Sequence, residues 1–368
     1  MWQDSGYAYA KASWIIGKSF LGKRISLLAG IHTLSELDRL IFPDRHRELP
    51  GRELLVDMER RINQRAVRQI LSVVNSYSHP PKLLVRMIKG FEYSDLKECL
   101  MFIAAGKEDK PEIYDIGRFK SISFNNYPDI TSMLKKTEFD FLLSEELKSI
   151  EAGTELANPA WASIDISAIE SKLDYRFYNG LIESLAQLSD EDREAAFRLI
   201  ADEISLRNCV WALRLRTYFQ KTEIETAKYL MDLKLPGGIN RISNFYQKKA
   251  SLAAEAKVSL DFPLDMRLPW RGWRWDRFLN SENSISAKYS PAQAMVTWSV
   301  DPRHFQNAAS QYLYQLAFHN FHSAPVSVGA IYCFIKLKLF EEDLLTSVAE
   351  GLSLGMDSSA IFRLLEIS

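Results

Sequence analysis

The sequence predicts an all-α protein. Apolar residues recur at steps of three and four in several long stretches, which puts them on one face of a helix. Helix-start signals such as Thr33-Leu34-Ser35-Glu36 and Ser189-Asp190-Glu191-Asp192 stand just before such stretches. Long alternating strand patterns are missing: the one β-like fragment, Ile122-Ser123-Phe124, is too short to build a sheet.

In order, Tyr7 to Leu28 reads as one helix, with Ala10, Trp14 and Ile15 among its apolar residues. Thr33 opens a short helix ending near Pro43, because Thr33 and Glu36 can cap each other's free amides. Pro50-Gly51 is a break. Glu53 to Ser76 is a long helix carrying Leu55, Met58, Ile62, Ala66, Ile70 and Val73. His79-Pro80-Pro81 turns the chain into another helix, and Gly106 is a fitting stop. Lys107 to Pro128 is polar and loop-like.

A second third begins near Ile130. Asp165 to Leu185 is helical, Ser189 caps a helix running towards Phe219, and Thr222 to Leu233 is a short helix. Pro236-Gly237-Gly238 is the strongest turn in the chain and a candidate boundary. The last third has a helix from about Ile242 to Ala256, an irregular stretch from Asp261 to Ser290, and a helix from Pro302 to His322. Pro325 breaks the chain before a helix over Val328 to Gly355, and Asp357 caps a last one over Ser358 to Glu366.

Three of these helices look alike. In Val328–Gly355 the stripe is Cys333, Leu337, Phe340, Leu344, Val348 and Leu352, with Glu341 beside it. An isolated carboxylate there is costly to desolvate, and Lys338, one turn earlier, is the nearest partner. Lys89-Gly90-Phe91-Glu92 parallels Lys338-Leu339-Phe340-Glu341, with Leu96, Cys99 and Ile103 following. A third copy starts at Glu203, ahead of Leu206, Val210 and Leu213, and its basic partners by sequence are Arg207 and Arg214. Copies a whole domain apart suggest three related helical units. Any amphipathic helix with one polar residue would share the pattern.

Composition narrows the functional classes. A chain of 368 residues has room for two or three domains. A formal net charge of -1 gives no global field for nucleic acid or anionic lipid. The three scattered cysteines, Cys99, Cys209 and Cys333, suit buried thiols in a reducing compartment. Polar Gln3, Asp4 and Ser5 close behind Met1 predict no secretory signal, and no run reaches the roughly 20 apolar residues of a membrane helix.

Catalytic patterns fail on inspection. Gly17-Lys18-Ser19 resembles the tail of a phosphate-binding loop, but Ala12 stands where a glycine is needed and the context is helical. His319 and His322 share a helix face without further metal ligands. Glu92, Glu203 and Glu341 read as structural carboxylates rather than catalytic acids. No cofactor, metal or small-molecule substrate is expected. The stretch Trp270, Arg271, Trp273, Arg274, Trp275, Arg277 has open readings. It packs on its own domain, or it is a protein interface, or it meets a membrane surface or single-stranded nucleic acid.

Phe334, Lys338, Glu341, Leu345, Val348, Gly351, Gly355, Ile361 and Leu365 fall in register with a C-terminal signature, and there the chain resembles the C subunit of V/A-type ATPases. That family is related to the d subunit of eukaryotic V-type ATPases. Glu203-Ile204-Ser205-Leu206-Arg207-Asn208 with Leu213-Arg214 is similar to a second family motif. Tyr7-Ala8-Tyr9-Ala10-Lys11-Ala12 resembles the family's opening, and Leu173-Asp174 with Tyr178 its element before the second repeat. Leu344-Leu345-Thr346, Leu352, Ser359 and Phe362 depart from the signature, and the Trp/Arg stretch belongs to no pattern in it.

The resemblance implies three similar helical bundles around a pseudo-threefold axis, shaped like a funnel, over residues 1–122, 123–238 and 239–368. It implies a non-enzymatic central-stalk socket on the cytoplasmic face of the membrane. That socket would be a monomer within the complex, would join shaft subunits D and F to the rotor ring, and would bind no nucleic acid. The alternative is a helical scaffold in some other complex.

Overall fold

The computed structural model describes residues 2–145, 166–220 and 302–365, with Tyr229 and Met231, and every regular element among them is helical. The first is α1, Trp2–Lys18. The single helix expected to Leu28 stops here instead. The chain turns at Gly22, whose φ of 55 lies in the left-handed region that favours glycine, and continues as a 3₁₀ turn over Gly22–Leu28. Helix α2, Leu34–Ile41, has the expected capping box: Glu36 N–H donates to Thr33 Oγ1 at 3.2 Å and Thr33 N–H to Glu36 Oε2 at 3.3 Å.

Pro50-Gly51 proves to be a start rather than a gap, because α3, Gly51–Val74, begins on it. Proline just outside a first turn loses no helical hydrogen bond. Helix α4, Lys82–Ala104, follows Pro81 and ends as expected at Gly106, where φ is 68. The segment from Lys107 to Pro128 contains only 3₁₀ turns, Gly117–Phe119 and Phe124–Asn126. It is less polar in function than in composition, since Ile116, Ile122 and Phe124 are buried and pin it to the body.

Short helices α5, Ile130–Leu134, and α6, Phe141–Glu145, lead towards α7, Ile166–Leu185. Helix α8, Asp190–Thr217, is capped by Ser189 and carries Asp190, Glu191 and Asp192 in its first turn, where the helix dipole favours anions. Helix α9, Pro302–Ser323, packs on α10, Val328–Ser353, and α11, Ser358–Leu364, closes the described chain. Ser327 caps α10 and Asp357 caps α11.

Helix α10 is the centre of the packing. It touches α1, α2, α3, α4, α8, α9 and α11. Its residues from Val328 to Ile335 are almost all solvent-free, which is why its apolar stripe widens to the whole circumference there. Burying each such side chain stabilises the fold by about 1.5–3 kcal/mol relative to leaving it in water. One apolar core joins Ala8 and Ile15 of α1, Val67 and Ile70 of α3, Phe197 and Ile200 of α8 and Phe321 of α9 around it. A second cluster gathers α2, the start of α3 and the end of α10, and a third the end of α4 with α5 and Leu173 of α7.

Two crossings depend on missing side chains. A Cβ on Gly329 would lie 2.7 Å from the Asp192 carbonyl oxygen of α8, and one on Gly351 2.6 Å from Ile361 Cδ1 of α11. Cys99, Cys209 and Cys333 are buried, as the sequence suggested, and burial pushes the Cys99 thiol up to about 12.

Candidate functional site

Three carboxylates stand on the central helices α4, α8 and α10. Glu92 is buried and accepts three hydrogen bonds: Ser121 N–H at 2.6 Å, Ser121 Oγ at 2.7 Å and Ile122 N–H at 2.5 Å. Lys89, one turn earlier, lies 3.8 Å away. Glu341 is also buried. It takes the Phe20 N–H at 2.8 Å and pairs with Lys338, one turn earlier, as the sequence indicated. Lys338 donates onward to Ser19 Oγ at 3.2 Å. Burial and the Arg65 charge push the Lys338 ammonium down, and the nearby Glu342 carboxylate opposes them. In both places a carboxylate fastens a backbone amide of a separate segment to its helix.

Glu203 differs. Its Oε1 accepts from Tyr178 OH at 2.8 Å and from Lys336 Nζ at 2.7 Å. The partner is therefore basic, as expected, but it is neither Arg207 nor Arg214. Arg207 pairs with Asp174 at 2.6 Å, and Arg214 bonds the side chain of Gln306. Sequence proximity misled because α8 leans on α10, which brings Lys336 closer than the next turn of its own helix. Lys336 and Lys338 are two residues apart and so leave α10 in different directions, one to each carboxylate.

A second group has almost no trace in the sequence. Tyr114, in the segment after α4, straps α4 to α10. Its N–H donates to both Asp95 oxygens at 3.2 Å, and its hydroxyl donates to Glu342 Oε1 at 3.3 Å. Asn63 of α3, with its amide nitrogen turned towards Glu342, donates to the same oxygen at 3.1 Å. Burial pushes Asp95 up to about 8, against the pull of the Tyr114 amide. Burial, reinforced by neighbouring Asp343, does the same to Glu342. The only hint in the sequence was two acidic residues beside Glu92 and Glu341 on strongly apolar helices.

Glu342 lines a cleft of about 620 Å³ between α9 and α10, walled also by Asn63, Tyr114 and Leu365. Among the described residues no cluster of histidine, cysteine and carboxylate side chains is placed to hold a metal. His319 and His322 share α9, where His322 packs on Phe318 and Phe321. Gly17 and Lys18 close α1, with Lys18 Nζ 3.9 Å from the Trp14 ring centroid, so the phosphate-loop likeness has a helix rather than a strand in front of it. The stretch from Trp270 to Arg277 lies outside the described residues, as do the Pro236 turn, the helix expected from Ile242 and, apart from Tyr229 and Met231, the short helix expected from Thr222.

Among known proteins, the family model described as ATP synthase (C/AC39) subunit matches residues 49–247, a little over half of the chain. The match includes α4 and α8, with Glu92 and Glu203. The chain is also 25% identical over 351 residues, 95% of its own length and 92% of the relative's, to an uncharacterised protein of Treponema pallidum (strain Nichols).

Proposed function

This chain belongs to the ATP synthase (C/AC39) subunit family, and from that membership we propose that it is the socket that joins the central shaft of a rotary V/A-type ATPase to its membrane rotor ring. Members of the family are non-catalytic parts of ATPase complexes. The shaft partners in this reading are subunits D and F, and the chain sits on the cytoplasmic face of the membrane, carried by the ring. No helix among the described residues is long and apolar enough to cross a membrane, which agrees with a peripheral place.

The observation that supports torque transfer is the central helix α10, which is packed on helices from the start, middle and end of the chain. A body that carries torque must not shear internally, and a close-packed interior of low compressibility meets that need. The proposed division into three funnel-forming bundles, 1–122, 123–238 and 239–368, has Glu92, Glu203 and Glu341 in equivalent places. The matching environments of Glu92 and Glu341 support it: each is buried, has a lysine one turn earlier and holds a distant backbone amide. The Trp270 to Arg277 stretch is the proposed contact with a neighbouring subunit.

The test pairs two measurements. Without this chain, the detached soluble sector keeps hydrolysing ATP, while ATP-driven ion uptake by vesicles stops and returns when the purified chain is added. A chain with Trp270, Trp273 and Trp275 replaced by serine folds but restores uptake poorly. Nucleotide hydrolysis by the chain alone, or full pumping in its absence, overturns the proposal.

A further inference from the structure

One face of α1 collects cations that no acid answers. Tyr7, Lys11, Trp14 and Lys18 follow one another at steps of four, three and four, so they share one side of the helix. The turn after α1 continues the set with Lys23 and Arg24. Helix α3, packed on α1, adds Arg65 and Arg68. It runs alongside in the opposite direction: Lys11 Nζ meets the Ser72 carbonyl at 2.6 Å, and Phe20, farther along the chain, meets the earlier Arg65.

Among the described residues none of these six cations forms a salt bridge. Their bonds go to neutral carbonyls, Lys11 to Ser72, Arg65 to Ile41 at 3.5 Å and Arg68 to Gln64 at 3.0 Å. Carboxylates of the surrounding segments are turned to other partners: Asp4 to Ser78, Glu112 to Gln64 and Glu341 to Lys338. Arg24 and Arg65 lie against one ring, their guanidinium carbons 5.8 and 5.7 Å from the Phe20 centroid. Burial, with the Arg24 charge beside it, pushes the Arg65 guanidinium down. The whole chain has a formal net charge of -1, so this excess of positive charge is local.

The rings on the same face are exposed. Tyr7 and Trp14 are each 63% accessible, with Lys11 Nζ 6.0 Å from the Tyr7 centroid and Lys18 Nζ 3.9 Å from that of Trp14. Positive charge calls for an anionic partner, and the residue types decide which kind. Lysine is depleted from protein–protein interfaces. Beside tryptophan and tyrosine it marks the level of lipid headgroups, where the rings lie among the glycerol esters and the ammonium reaches the phosphates. Clustered cations on an amphipathic helix are drawn to anionic lipid.

We propose that this face of α1, continued by Lys23, Arg24 and the Arg65 end of α3, docks on a membrane surface of anionic phospholipid. The face belongs to the chain by itself, so the proposal goes beyond the rotary reading and does not need another ATPase subunit.

The isolated chain is sedimented with vesicles of phosphatidylcholine alone and of phosphatidylcholine mixed with phosphatidylglycerol. It follows the mixed vesicles only, and high salt releases it. Lys18→Gln with Arg24→Gln, both at exposed positions, weakens the binding about tenfold or more. Trp14→Ser weakens it too, and melting curves show that the variants stay folded. Lys135→Gln with Lys136→Gln, exposed cations after α5 and outside this face, leaves the binding unchanged. Equal binding to both kinds of vesicle, or to neither, overturns the assignment. Equal losses in the two paired variants mean unspecific attraction and overturn it as well. Binding that survives these changes but is lost when Trp270, Trp273 and Trp275 become serine moves the contact elsewhere. A chain that ignores vesicles but crosslinks through Lys18 to another protein of its complex gives the face to a protein partner. None of these outcomes touches the rotary reading, which the pumping measurement decides.

Discussion

Lys338 and Glu341 are bonded to each other inside the core, one turn apart on α10, and each is nearly solvent-free. Glu341 also anchors the Phe20 amide, so one carboxylate neutralises a lysine and ties the turn after α1 to the central helix.

Replacing Glu341 with leucine strands the Lys338 charge and the Phe20 amide. The expected loss is about 3–5 kcal/mol of unfolding free energy. Replacing both partners, Lys338→Met with Glu341→Leu, removes the stranded charge and costs clearly less. Urea unfolding of the parent, the single and the double variant measures this. A single variant as stable as the parent would show that the pair does not hold the core.

Asp95 gives a pH dependence of definite sign. Its carboxyl is raised from 3.8 to about 8 in the folded chain, so between those values the folded state holds a proton that the unfolded state has lost. Its contribution is complete below about 4, declines as pH rises and is gone above about 8. An asparagine in its place cannot ionise and still offers an oxygen to Tyr114. The stability difference between the parent and Asp95→Asn should therefore shift against the parent across that window. Melting curves at several pH values decide it, and a difference that stays flat contradicts the assignment.

Glycines at two helix positions should respond oppositely to alanine. Gly329→Ala drives a methyl against the Asp192 carbonyl, a backbone atom that cannot rotate away, and should cost about 1–3 kcal/mol. Gly17→Ala meets nothing within 4 Å and gains about 0.5–1 kcal/mol from the lower entropy of the unfolded chain. Equal midpoints for the two variants would refute the crossing geometry of α8 and α10.

The helices were legible because their signals are local. Thr33, Ser189 and Asp357 cap where the sequence puts them, and the stripe on α10 follows the helical period. The pairing of Lys338 with Glu341 was legible too, since both lie on one helix. What depends on two elements meeting was not. Lys336 reaches Glu203 across a helix crossing, and Tyr114 reaches Asp95 and Glu342 only because its segment folds back over α4 and α10. The break after α1 was missed because Gly22 is a single turn residue inside an otherwise continuous apolar pattern. The cleft has no sequence signature at all, since its wall residues come from segments hundreds of positions apart.

The helix that much of the core leans on comes after most of the other described helices in the chain. A ribosome delivers α1, α3, α4 and α8 long before Val328 appears, and their apolar faces then lack the surface they are shaped for. Long-range contacts of this kind are reached slowly, and the waiting surface is prone to aggregate. Truncated chains released before α10 is complete are thus natural clients for chaperones and proteases, so that a nonsense codon within α10 removes the protein rather than shortening it.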